Sequence, residues 1–91
     1  MGRILAIDFG LKRTGLAVTD PLQIIANGLD TVPTHTLLVF LQTYFAKETV
    51  DQVVIGMPKN LDNTDTDSTA GVRIFIKSFR KKFPLIPLEE H

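Results

Sequence analysis

The stretch that most restricts the fold is Arg3 to Asp20, RILAIDFGLKRTGLAVTD. Two apolar runs, Ile4-Leu5-Ala6-Ile7 and Leu16-Ala17-Val18, are separated by too few residues for anything but a tight connection. That spacing predicts two strands, Arg3 to Phe9 and Thr14 to Thr19, paired as an antiparallel hairpin with Lys12-Arg13 in its turn. The first run has no polar alternation before Asp8, the pattern of a central strand covered on both faces. A carboxylate in such a strand is costly to bury unless something pairs with it. Asp8 is therefore expected to meet a divalent metal or a bound polar ligand, the alternative being a simple turn cap. Gly10 would let the backbone approach a phosphate closely. Lys12 and Arg13 are candidates for phosphate contact, against the alternative of an ordinary solvated turn.

Downstream, Asp20-Pro21 ends the second strand, because proline restricts the residue before it and cannot donate to a ladder. A third strand is expected over Ile24 to Val32, irregular at Asn27-Gly28. Pro33-Thr34 opens a helix capped by Thr34 or Thr36, with Leu37, Leu38, Leu41, Tyr44 and Phe45 at helical spacing and fraying near Glu48-Thr49. Val50 to Ile55 is a β-branched run, a fourth strand parallel to the first. After Gly56-Met57-Pro58 comes a polar, acidic stretch, Lys59 to Ser68, whose Asp67 or Ser68 would cap a second helix. That helix places Val72, Phe75, Ile76 and Phe79 on one face and Arg73, Lys77, Arg80, Lys81 and Lys82 mostly outside it. Pro84 stops it, and Leu85 to Leu88 would begin a fifth strand. The order β-β-β-α-β-α-β predicts a single α/β domain over residues 1–91. Its mixed five-stranded sheet would combine a three-strand antiparallel meander with parallel strands, and helices on its faces.

In open α/β sheets ligands gather outside the carboxyl ends of the parallel strands. Asp8 and the loop Gly56-Met57-Pro58-Lys59-Asn60 should share that end. Bulk charge adds nothing, since ten basic residues balance ten acidic ones. The absence of cysteine excludes disulfides and cysteine-zinc sites. No apolar run approaches the roughly 20 residues of a membrane span, and Met-Gly-Arg leads straight into a strand with no signal peptide. The expectation is a cytoplasmic protein with no membrane association. The acidic run Asp62, Asp65, Asp67 lacks the glycine and terminal glutamate of a calcium loop. His35 and His91 show no partner pattern and read as structural or incidental.

The segment Ile7 to Asp20, IDFGLKRTGLAVTD, resembles the opening signature of the YqgF family, also called RuvX-like proteins or proposed Holliday junction resolvases. Ile55 to Asn63, IGMPKNLDN, resembles the family's second signature, a glycine-x-proline turn followed by an asparagine and an acidic turn. The resemblance spans Arg3 to about Phe83 and implies an RNase H-like fold. The activity it implies is metal-dependent hydrolysis of nucleic-acid phosphodiesters. The substrate would be structured RNA, at the 5′ end of the small-subunit ribosomal RNA precursor, or branched DNA at a junction. Carboxylates would hold Mg²⁺ or Mn²⁺ in a two-metal arrangement. Asp8 carries over as the catalytic, metal-binding carboxylate, and Lys12, Arg13, Lys59 and Asn60 as nucleic-acid contacts.

The chain departs from the family after its second helix. An Asp-Glu-Arg triplet should follow the fifth strand, and a third carboxylate should come from a C-terminal helix that is lacking. Counted from Pro84, Glu89-Glu90-His91 stands in the triplet's place, with Glu89 as a second metal ligand. Counted from Pro87, the triplet would start beyond His91. The ending also resembles the start of a histidine tag. Without the helix, an apolar patch on the sheet is expected, leading either to self-association, with a homodimer as one form, or to marginal stability. Two other readings remain. One is a nucleic-acid-binding relic of the fold that does not cleave. The other is a phosphate- or nucleotide-binding relative of the actin-like kinases, which open with a similar Asp-x-Gly hairpin.

Overall fold

A computed structural model describes residues 2–20, 22, 26–56 and 67–91, apart from the side chains of residues 26, 67 and 68. Strands β1 (Arg3–Asp8), β2 (Arg13–Thr19) and β3 (Ala26–Pro33) are followed by a short 3₁₀ turn, Thr34–Thr36, and helix α1 (Leu37–Lys47). Strand β4 (Val50–Gly56), helix α2 (Asp67–Lys82) and strand β5 (Leu88–Glu90) complete the chain. One sheet contains all five strands in the order β3-β2-β1-β4-β5. β1–β2 and β2–β3 are antiparallel, while β1–β4 and β4–β5 are parallel. The mixed sheet and its meander are as expected. No helix follows β5 among the described residues. None is long and apolar enough to cross a membrane.

The irregularity expected at Asn27-Gly28 is a bulge one residue later. Leu16 pairs with Asp30 but Ala17 with Gly28, which leaves Leu29 without a partner across the ladder. The fifth strand lies further along than Leu85 to Leu88. Leu85 is 93% exposed in the turn after α2, and pairing with β4 begins only at Leu88. Thr36 stands at the N-cap of α1, one of the two positions expected, but neither threonine makes a capping hydrogen bond. The Thr36 hydroxyl donates to the Pro33 carbonyl at 2.8 Å, and the Thr34 hydroxyl reaches back to the hairpin turn. The caps expected for α2, Asp67 and Ser68, have side chains outside the described residues.

The larger correction concerns the faces of the sheet. Every buried strand side chain belongs to one side: Leu5 and Ile7 of β1, Thr14, Leu16 and Val18 of β2, Val32 of β3, Val53 and Ile55 of β4. These meet Leu37 and Leu41 of α1 and Val72, Phe75, Ile76 and Phe79 of α2 in a single core. Among the described residues no helix covers the other side. Ala6 and Asp8 are exposed, and Ile4, Ala17, Val54 and Gln52 are only half-buried. β1 is therefore covered on one face, not two. Ile4 and Ala6 are apolar on the outward side, which erased the alternation that would have announced it.

Aromatic rings carry much of the helical layer. Phe75 and Phe79 of α2 and Phe83 just after it follow one another at four-residue steps, with ring centroids 6.1 and 5.1 Å apart. Phe45 of α1 packs edge-on against Phe83 at 4.9 Å and Phe79 at 6.2 Å, and Phe9 meets Phe75 at 5.7 Å. Burial raises the pKa of the neighbouring Tyr44 hydroxyl, with Arg3 lowering it and Glu48 raising it further. Phe79 is fully buried at the centre of this array. Phe79→Ala is expected to destabilise the chain by about 3–5 kcal/mol, read as a lower urea midpoint with an unchanged slope.

Candidate functional site

Asp8 is the last residue of β1, and its place follows from strand alternation. Leu5 and Ile7 go into the core, so Ile4, Ala6 and Asp8 face the bare side. The ladders set Asp8 opposite Gly15 on β2 and opposite Gly56 on β4. Both flanking positions on its own face thus lack side chains. A methyl group built on Gly15 would stand 3.8 Å from the Asp8 Cβ. The result is a shallow trough of about 440 Å³ whose lining includes Asp8, Gly15, Gly56, Ala6, Ala17 and His91. It opens at the carboxyl ends of parallel β1 and β4, where ligands of α/β sheets collect. The expected burial of Asp8 is corrected: the carboxylate is exposed in an apolar-walled trough.

The basic turn lies at the same end. Lys12 and Arg13 are both exposed. Arg13 has the parity of Gly15 and Ala17, which puts it on the bare side with Asp8. The turn is held from two directions. The Thr34 hydroxyl donates to the Gly10 carbonyl at 2.5 Å, and the Thr34 amide donates to the Lys12 carbonyl at 2.9 Å. The one hydroxyl proton of Thr34 is thus used, so the fully buried Thr14 hydroxyl, 2.9 Å away, must be the donor in their contact. On the other side, a methyl group on Gly71 of α2 would come within 3.0 Å of Leu11 and 3.5 Å of Phe9. Gly10 is needed for closure of the turn, since any Cβ there would collide with the Arg13 carbonyl.

Of the remaining expected site residues, Lys59 and Asn60 lie outside the described residues. Glu89 is on the bare face, level with Val54, and accepts a 2.7 Å hydrogen bond from Gln52. Gln52 sits further from the Asp8 end of β4, so this bond turns Glu89 away from the trough. His91, read as incidental, lines the trough, and its amide donates to the Ile55 carbonyl at 2.9 Å. The sequence signal for it was parity, since Glu89 and His91 alternate with Glu90 at the end of β5. Among the described residues no three His, Asp or Glu side chains group closely enough to hold a metal ion. Asp8 has the chemistry of one ligand, and a complete cation site is not assembled from these residues.

The hydroxyl relay gives a direct test. Thr34→Val removes the donor to Gly10 and leaves the buried Thr14 hydroxyl without an acceptor. It is expected to cost about 1–3 kcal/mol of stability. Thr34→Ser, which keeps the hydroxyl, should recover most of that in the same denaturation experiment.

Relatives of this chain share its sequence over almost all of its length. A protein from Bacteroides thetaiotaomicron, named as a candidate pre-16S rRNA nuclease, is 52% identical over 89 residues, covering 98% of this chain and 64% of that protein. A protein of the same name from Porphyromonas gingivalis is 53% identical over 88 residues, with 97% and 64% covered. The chain thus spans slightly under two thirds of the length of these relatives. Among solved structures, YeaZ from Pseudomonas aeruginosa superposes with a TM-score of 0.58 at 12% identity, covering 100% of this chain and 43% of that one. A candidate sugar kinase from Cytophaga hutchinsonii gives 0.55 at 21% identity, covering 99% and 36%. At these identities the likeness is one of fold alone. The family model described as "RuvX: Holliday junction resolvase" matches residues 2–91, so that Glu89-Glu90-His91 fall inside its span, and the chain belongs to that family.

Proposed function

We propose that this chain carries the substrate-binding half of a metal-dependent nuclease that hydrolyses phosphodiesters of structured RNA. The observation that supports this most is the isolation of Asp8. Its carboxylate is exposed between two glycine positions, at the carboxyl ends of two parallel strands, with Arg13 on the same face. Such a setting leaves room for a phosphate and a hydrated cation beside a carboxylate, and it gives the phosphate a guanidinium. Membership of the RuvX family and relatives named for pre-16S rRNA agree with this reading.

In it, Arg13 and Lys12 bind and orient the substrate backbone, and the Thr14–Thr34 relay keeps their turn in place. Asp8 would hold one position of a bound Mg²⁺ or Mn²⁺, and the ion would supply charge stabilisation to the phosphate. The described residues do not complete that ligand set. Lys59 and Asn60 belong to the same proposal as further backbone contacts. A ribosomal RNA precursor as substrate implies a cytoplasmic location. A homodimer joined through the bare strip of Ile4, Ala6, Ala17 and Val54 is the corresponding proposal for assembly, and sedimentation velocity over a concentration series would read it.

The experiment is a cleavage and binding assay on 5′-labelled precursor RNA with and without Mg²⁺. Cation-dependent cleavage should fall by roughly 100-fold or more in Asp8→Asn, since even outer-shell changes at metal sites cost about 10–100-fold. Arg13→Gln should weaken binding and lower its salt dependence by about one phosphate contact. Salt-sensitive binding with no cleavage in any variant would instead favour the non-catalytic binding reading. An ATP-dependent rise in Tm with no RNA effect would favour the actin-like one.

A further inference from the structure

Helix α2 carries a second charged surface, on the side of the sheet opposite Asp8. Between residues 69 and 88 the chain has Arg73, Lys77, Arg80, Lys81 and Lys82 and no acidic residue, although the whole chain is neutral. Arg73, Lys77, Arg80 and Lys81 follow the helical repeat and are all exposed. Arg80 alone of these is engaged among the described residues. It donates to the Leu88 carbonyl at 3.2 Å and pairs with Glu90 at 3.6 Å. Those contacts form one wall of a groove of about 420 Å³ between α2 and edge strand β5, lined by Arg73, Ile76, Lys77, Arg80 and Glu90. Three cations against one carboxylate, itself paired with Arg80, leave the groove positive.

Helix stability does not account for this stripe. Arg80, Lys81 and Lys82 complement the dipole in the last turn, but Arg73 and Lys77 stand outside it. Arg73–Lys77 and Lys77–Lys81 are like-charge pairs four residues apart, which oppose helix formation. A polyanion lying along the helix would reverse that cost. From Arg73 to Lys81 the stripe runs about 12 Å at 1.5 Å per residue. We infer that this face of α2, with the groove beside β5, docks the backbone of an RNA duplex as a second contact surface, separate from the trough at Asp8. The choice of RNA rests on the nuclease reading above, while the surface itself rests on the charge pattern. The body measures 21 Å along its shortest principal axis. A structured RNA longer than this can contact both surfaces at once.

The test uses the full chain, a fluorescein-labelled 20-base-pair RNA duplex and anisotropy between low and moderate salt. The triple variant Arg73→Gln/Lys77→Gln/Lys81→Gln keeps good helix formers and leaves Arg80 with Glu90. It should lose about two to three units of the slope of log K against log salt, with a loss in affinity of about tenfold or more. If the triple variant matches the parent in slope and affinity, the inference is overturned, and Asp8-dependent cleavage would be untouched by that result. If the parent chain does not bind the duplex, or binds a polyglutamate of equal charge as tightly, the inference is also overturned, the latter in favour of an acidic protein partner. If the slope is lost in the triple variant while no variant cleaves, the inference stands and the nuclease reading fails.

Discussion

The structure depends on a core built from one face of the sheet. Leu5, Ile7, Leu16, Val53 and Ile55 are all sealed by α1 and α2, and period-two alternation then commits their neighbours to the other side. Burying Ile7 is what lifts Asp8 onto the bare face. Burying Leu16 presents Gly15 beside it, and burying Ile55 does the same for Gly56. A slip of one residue in either ladder would bury the carboxylate and expose the core. The site and the hydrophobic core are therefore specified by the same register, and neither can change without the other.

Both helices on one side also explain how the two charged regions are separated. The basic turn is tied by Thr34 to the end of β3 and braced by Gly71 of α2, so it stays with the trough. The stripe on α2 is carried on the outer surface of the helix whose inner face holds Phe75 and Phe79. A net charge of zero conceals this division. Acidic residues lie elsewhere, and local fields rather than total charge govern how a polyanion is met.

Much of the architecture was legible because local signals agreed. The hairpin from β1 to β2 followed from two apolar runs and a short polar turn. The parallel pairing of β4 with β1 followed from a helix between β-branched strands. The inner face of α2 was read correctly from Val72, Phe75, Ile76 and Phe79. The sidedness of β1 was not legible, because Ile4 and Ala6 are apolar whichever way they point. The expected capping hydrogen bonds of α1 failed for a related reason. Thr34 has the right residue type for a cap, but its hydroxyl is captured by Gly10 and Thr14, partners 24 and 20 residues away in sequence. Short-range preference yields where a buried hydroxyl must be satisfied.

The sequence by itself determined the elements, their order, the family signatures and the identity of the residues able to do chemistry, because periodicity, turn residues and side-chain type are local properties. Only the tertiary structure decided that Asp8 is exposed, that Gly15 and Gly56 clear the space around it, and that His91 joins the trough while Glu89 turns to Gln52. These are consequences of ladder register between strands far apart in the chain. Register is set by packing the whole core at once, and no local stretch of residues contains it.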